Sequence, residues 1–142
     1  MKIVTWLLIV LAALAIAFYF PFTSYPPLLK GVSAGGEWDN GCPPIGAERQ
    51  RNLGRSLSPE LNGFLNHRFA EGSPAKPLAE GLAMQGFREL ASPCPNDSSI
   101  RAMTYTGKTH WLSLVETTAT IYFRSTDGKL DWIKAFVSYT TL

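Results

Sequence analysis

Between residues 3 and 20, 17 of the 18 side chains are apolar, Thr5 being the exception, and there is neither a charge nor a glycine. In lipid every backbone N–H and C=O must be bonded within the segment, so such a run crosses a bilayer only as a helix. Its length as a helix is roughly 27 Å, close to the hydrocarbon thickness of about 30 Å. Pro21 stops it, with Pro26 and Pro27 behind, while Trp6, Tyr19 and Tyr25 suit the two interfaces. Lys2 and the amino terminus precede the run and the next charge is Lys30, so the positive-inside bias keeps the N-terminus cytoplasmic and exports the rest. The expectation is a signal-anchor transmembrane helix over residues 1–21. It makes a single-pass protein of the inner (cytoplasmic) membrane, in contact with membrane lipid, with its C-terminal part on the periplasmic side. A cleaved signal peptide is the competing reading. Ala13-Leu14-Ala15 and Ala15-Ile16-Ala17 have the small-x-small form of a cleavage site, but the apolar run continues past both.

The chain beyond the run suffices for one domain and is too short for two. A net charge of +2 lacks the strongly basic balance of a nucleic-acid binder. With 17% charged and 12% aromatic residues, the chain is too apolar to be disordered.

Cys42 and Cys94 are the only cysteines, and both fall on the exported side among turn formers. An even count in an oxidising compartment predicts one disulfide. The absence of a C-x-x-C pair or a neighbouring histidine speaks against a redox or metal site. Cys42 follows Asp39-Asn40-Gly41, which is unlike a lipid-attachment site.

Residues 22–57 are rich in proline and glycine and keep no apolar period, so they read as a linker, partly anchored by Trp38 and Cys42. The exported domain is expected over residues 58–142. Ser58, Pro59 and Glu60 suit a helix start, and Leu61, Phe64, Leu65 and Phe69 make one apolar face. Glu71-Gly72-Ser73-Pro74 turns the chain into a second helix over residues 77–85. This helix buries Leu78, Leu82 and Met84, and Gly86 closes it in the left-handed conformation with Phe87 folding back.

Strands are expected over residues 100–106, 111–115 and 118–125, with Gly107-Lys108 as a two-residue turn. Asp127-Gly128 is a hairpin signal leading into a strand over residues 130–137. In that strand Ile133, Ala135 and Val137 share one face while Trp132 and Phe136 share the other, which implies a bulge or a second packed surface. The fold class is α+β: an N-terminal transmembrane helix, a linker, then two short helices on a three- to four-stranded antiparallel sheet.

The stretch from Arg68 to Pro74, then Leu78, Leu82 and Gln85-Gly86-Phe87, then a meander with Asp127-Gly128, resembles small envelope proteins of proteobacteria. The layout is similar to the helix-helix-three-strand domain of SmpA/OmlA-type outer-membrane assembly lipoproteins and β-lactamase-inhibitor-like domains. The chain differs from the lipoproteins in lacking a lipid-attachment cysteine. The resemblance implies a binding module rather than an enzyme, and carries no site residue with it.

The chemistry-bearing residues point the same way. His67 and His110 stand in no metal-ligand spacing, and no G-x-S-x-G is present. Gly107-Lys108-Thr109 lacks the upstream glycine of a phosphate loop, since Ala102 stands there. Arg49, Arg51 and Arg55 stand close to Glu48 and read as a solvated stretch. No catalytic residue, metal ligand or cofactor site is assigned. The leading expectation is a non-catalytic accessory domain that binds an envelope protein through an exposed aromatic surface of Tyr122, Trp132 and Phe136, with Trp38 nearby. The alternatives are an inhibitor or immunity protein against an envelope hydrolase, and a small hydrolase using His67 or His110 with Glu116 or Asp131.

Overall fold

The computed structural model describes residues 25–35, 57–94, 97–108 and 113–141, together with Trp6 and Val10. The apolar run of residues 3–20 therefore lies outside the described residues except for those two positions, which are helical and exposed. Among the described residues no helix is long and apolar enough to cross a membrane.

Two helices, α1 (Pro59–Arg68) and α2 (Ala75–Met84), precede a four-stranded antiparallel sheet. Its strands are β1 (Arg88–Glu89), β2 (Ile100–Lys108), β3 (Val115–Thr126) and β4 (Lys129–Thr141), in spatial order β1-β2-β3-β4. The α+β class with two helices and a meander is as the sequence pattern indicates.

Helix α1 starts at Ser58, but the serine does not cap it with its side chain. Its Oγ is buried without a hydrogen-bond partner, and its backbone N–H instead donates to the Ala135 carbonyl at 3.0 Å. Helix α2 begins two residues earlier than its sequence suggests. The Ala75 N–H finds the Gly128 carbonyl at 2.9 Å, and Pro77 falls in the first turn, where no N–H is needed. Its far end closes as expected. Gly86 has φ +86°, its N–H bonds to the Ala83 carbonyl, and the Phe87 N–H bonds to the Leu82 carbonyl.

The hairpin at Asp127-Gly128, with both residues at positive φ, is also as expected. Next to it the register shifts between Arg124 and Ser125, so Arg124 faces Trp132 while Ser125 faces Leu130. The extra residue is Asp131, whose carboxylate accepts from Thr126 Oγ1 at 2.8 Å and pairs with Arg124 at 3.3 Å. The bulge switches the parity of β4, which puts Leu130 on the same face as Ile133, Ala135 and Val137.

The other end of the meander differs from expectation. Gly107 and Lys108 are not a turn but the last rungs of β2, opposite Thr117 and Glu116. Gly107 lies under the Tyr105 ring, so a Cβ there would come within 2.8 Å of the ring's Cζ and displace that side chain. Strand β3 runs Val115–Thr126, so the strand expected over residues 118–125 starts three residues earlier; residues 111 and 112 of the strand expected over 111–115 lie outside the described residues.

The larger core lies between the helices and one sheet face. It unites Leu61 and Leu65 of α1, Leu78 and Leu82 of α2, and Met103, Ile121, Phe123 and Ile133 of the sheet. It also contains Leu29 and Val32. The expected linker over residues 22–57 is therefore not a free tether throughout. Residues 25–35 are docked, with a one-turn 3-10 helix at Pro27–Leu29 and Leu29 only 1% exposed. Tyr25 Oη donates to Thr117 Oγ1 at 3.5 Å, Leu28 N–H to Gln85 Oε1 at 3.1 Å, and Gly35 N–H to the Val137 carbonyl at 3.1 Å. Tyr139 Oη donates to the Val32 carbonyl. Composition hid this docking, since Leu28, Leu29 and Val32 amid prolines and glycines make no periodic pattern.

Leu29→Ala is expected to lower stability by roughly 2–5 kcal/mol, as for a core leucine, against less than about 0.5 kcal/mol for a residue in a loose tether. Urea unfolding of the full chain, followed by circular dichroism, separates the two.

Candidate functional site

Helix α1 leans on β4 through Leu61 and Leu65, and α2 reaches the same core through Leu78 and Leu82. The docked segment at residues 27–32 runs beside them. A cleft of about 730 Å³ lies between these three elements. That volume is within the range of about 300–1,000 Å³ typical of small-molecule pockets.

The floor of the cleft is the buried row of Leu61, Leu65, Leu78 and Leu82. Its lips carry Phe64, 50% exposed, and Met84, 85% exposed. The amphipathic pattern assigns Phe64 to the buried face of α1 and Met84 to that of α2. The structure corrects both, because each faces the open cleft, which no further element covers among the described residues. Gly81 also lines the cleft, and a Cβ built there meets nothing within 4 Å, so the space above it is open.

Three charged residues edge the cleft: Lys30, Glu60 and Arg68. The Glu60 carboxylate is engaged, accepting from Ser33 N–H at 3.2 Å and Ser33 Oγ at 2.9 Å. Its own backbone N–H, followed by the Ser33 hydroxyl and N–H, holds it below the ordinary carboxylate range. Lys30 and Arg68 take part in no ion pair among the described residues.

The aromatic surface expected on the sheet does not form. Tyr122 and Phe136, 4% and 5% exposed, pack edge-to-face at 5.7 Å in a second, smaller core with Cys94, Ile100 and Ala102. Trp132 packs against this core partly buried, with Lys134 Nζ 5.7 Å from its ring centre. Burial pushes the Lys134 ammonium below its ordinary pKa. The second face of the sheet is thus buried around Tyr122 and Phe136, while Thr106 and Ser138 on the same face stay exposed. Trp38 and Cys42 lie outside the described residues; Cys94 is buried and is not a free thiol.

His67 sits exposed in the last turn of α1, away from the cleft lining, and His110 lies outside the described residues. Among the described residues no group of three or more histidines, cysteines or carboxylates is placed to hold a metal ion. Of the carboxylates weighed for acid–base work, Asp131 is taken by Arg124 and Thr126, and Glu116 stands opposite Lys108.

No protein-family model, curated protein or solved structure matches this chain.

Among the described residues three carboxylates have lowered pKa values: Glu60 through its own N–H and Ser33, Glu89 through Arg101, and Asp97 through Ser99. A carboxyl whose pKa is depressed on folding stabilises the fold above its unfolded pKa, and this contribution is lost as pH falls through the folded value. The urea midpoint should therefore drop as pH falls through and below the ordinary carboxylate range, and Glu60→Gln should make that drop shallower. An unchanged pH profile in Glu60→Gln would show that the Ser33 clasp does not contribute.

Proposed function

We propose that this protein is a single-pass, membrane-anchored envelope protein whose exported domain is a non-catalytic accessory module, and that the cleft between α1 and α2 is its binding element. The observation that carries the reading is the cleft itself: an open apolar volume with large exposed side chains on its lips and a closed leucine floor. Soluble monomers rarely leave such surface uncovered without a use for it.

The anchor is supported by the apolar run of residues 3–20. The binding role moves from the sheet to the helical side, since Tyr122 and Phe136 are occupied within the domain. The likeness in layout to small envelope binding modules, read from the sequence, belongs to the same proposal. A disulfide between Cys42 and Cys94 belongs to the same reading, supported by the burial of Cys94 and by the absence of any third cysteine in the sequence.

The test is photo-crosslinking in intact cells from benzoylphenylalanine placed at position 64 or, as a control on the opposite side of the sheet, at position 106. A discrete adduct is expected from 64 and none from 106. Gly81→Phe, which fills the cleft from a position with open space above it, should suppress the adduct without changing the melting temperature. Equal labelling from both positions, or none from 64, would defeat the reading.

For the bridge, both sulfurs should resist alkylation until reduced. Cys94→Ser should cost roughly 2–4 kcal/mol of stability in oxidised material. Ready alkylation of unreduced native protein would exclude it.

A further inference from the structure

We propose that the cleft takes an acyl chain of an anionic lipid drawn from the same bilayer that holds the anchor. This assignment rests on the membrane-anchored reading and names the occupant of its site.

The tether between membrane and domain is short. The apolar run ends at Phe20 and the docked segment starts at Tyr25. Five peptide steps span at most about 18 Å. The headgroup layer of one leaflet is roughly 5–8 Å thick. The connection is long enough to clear the headgroups and too short to carry the domain away from them. The segment it leads into is not separate from the cleft, since Leu28, Lys30 and Val32 line it. One wall of the cleft is thus held at the membrane surface by the path of the chain.

The lining of the cleft matches the chemistry of a lipid, which offers an apolar chain attached to a charged head. The cleft offers a leucine floor, the exposed lips Phe64 and Met84, and the cations Lys30 and Arg68. Neither cation has an ion-pair partner among the described residues, and the carboxylate that shares the edge, Glu60, is held by Ser33. The edge therefore keeps positive charge where a headgroup phosphate would lie, and lysine and arginine make charge-assisted hydrogen bonds to phosphate oxygens.

The experiment uses the full chain in vesicles of phosphatidylethanolamine and phosphatidylglycerol, with a trace of phosphatidylglycerol carrying a diazirine in its acyl chain. After irradiation, adducts are mapped by mass spectrometry. Labelling is expected on peptides containing Phe64 and Met84 as well as within residues 3–20. Gly81→Phe should lower the cleft adducts at least tenfold and leave those in residues 3–20 unchanged. Phe64→Ser, at an exposed position, should lower them severalfold without loss of fold. Lys30→Gln with Arg68→Gln should abolish any preference for phosphatidylglycerol over phosphatidylcholine probe.

Adducts confined to residues 3–20 would overturn the lipid assignment while leaving the anchor in place. Release of the protein by alkaline carbonate, with no adducts anywhere, would overturn the anchored reading itself. A protein-sized adduct from position 64 in cells, with no lipid adduct in vesicles, would assign the cleft to a protein partner instead.

Discussion

The outer edge of β4 governs how the described parts of the chain are assembled. Alternate residues of an edge strand direct their N–H and C=O groups away from the sheet, and buried groups of this kind must find partners. Here four different donors and acceptors meet them. Asn66 Nδ2 donates to the Ile133 carbonyl at 3.3 Å, and Asn62 Oδ1 accepts from Ala135 N–H at 3.4 Å. Ser58 N–H then satisfies the Ala135 carbonyl and Gly35 N–H the Val137 carbonyl. Helix α1 and the lead-in segment are thereby fastened to one strand, in places set by backbone hydrogen bonding as much as by apolar contact.

The cleft is a consequence of that fastening. Helix α1 is committed to β4. Helix α2 is positioned separately, by the hairpin: Gly72 N–H donates to the Leu130 carbonyl, Leu130 N–H to the Ser73 carbonyl, and Ala75 N–H to the Gly128 carbonyl. Two helices with different attachments need not close on each other. At Gly81 no side chain of α2 fills the gap, and a Cβ there would meet nothing within 4 Å. The lead-in segment then supplies a third wall and, with Lys30, part of its charge.

Much of the fold is legible in the sequence because it is written in local chemistry. Asp127-Gly128 demands a primed turn, Gly86 demands a left-handed helix end, and the clash of periods in β4 calls for either a bulge or a second packed face. Both occur, at Asp131 and around Tyr122 and Phe136. The departures share a cause. Gly107 looks like a turn residue until the Tyr105 ring is seen lying over it, and Ser58 looks like a capping side chain until its backbone is seen bonded to Ala135. The candidate site is not legible in the same way. An amphipathic pattern marks Phe64 and Met84 as apolar but does not say whether anything covers them, and Leu29 lies in a stretch without periodicity.

The sequence by itself determined the α+β order, the hairpin, the ends of the helices to within a turn, and the existence of an apolar N-terminal run. Each depends on residues adjacent in the chain, whose steric and solvation preferences act over a few bonds. Only the tertiary structure decided that residues 25–35 belong to the domain, that the aromatics on the far side of the sheet are buried, and that the helices part to leave a cleft. Those outcomes depend on which distant backbone groups remain to be satisfied once the strands have paired, and that is a property of the assembled sheet rather than of any local stretch.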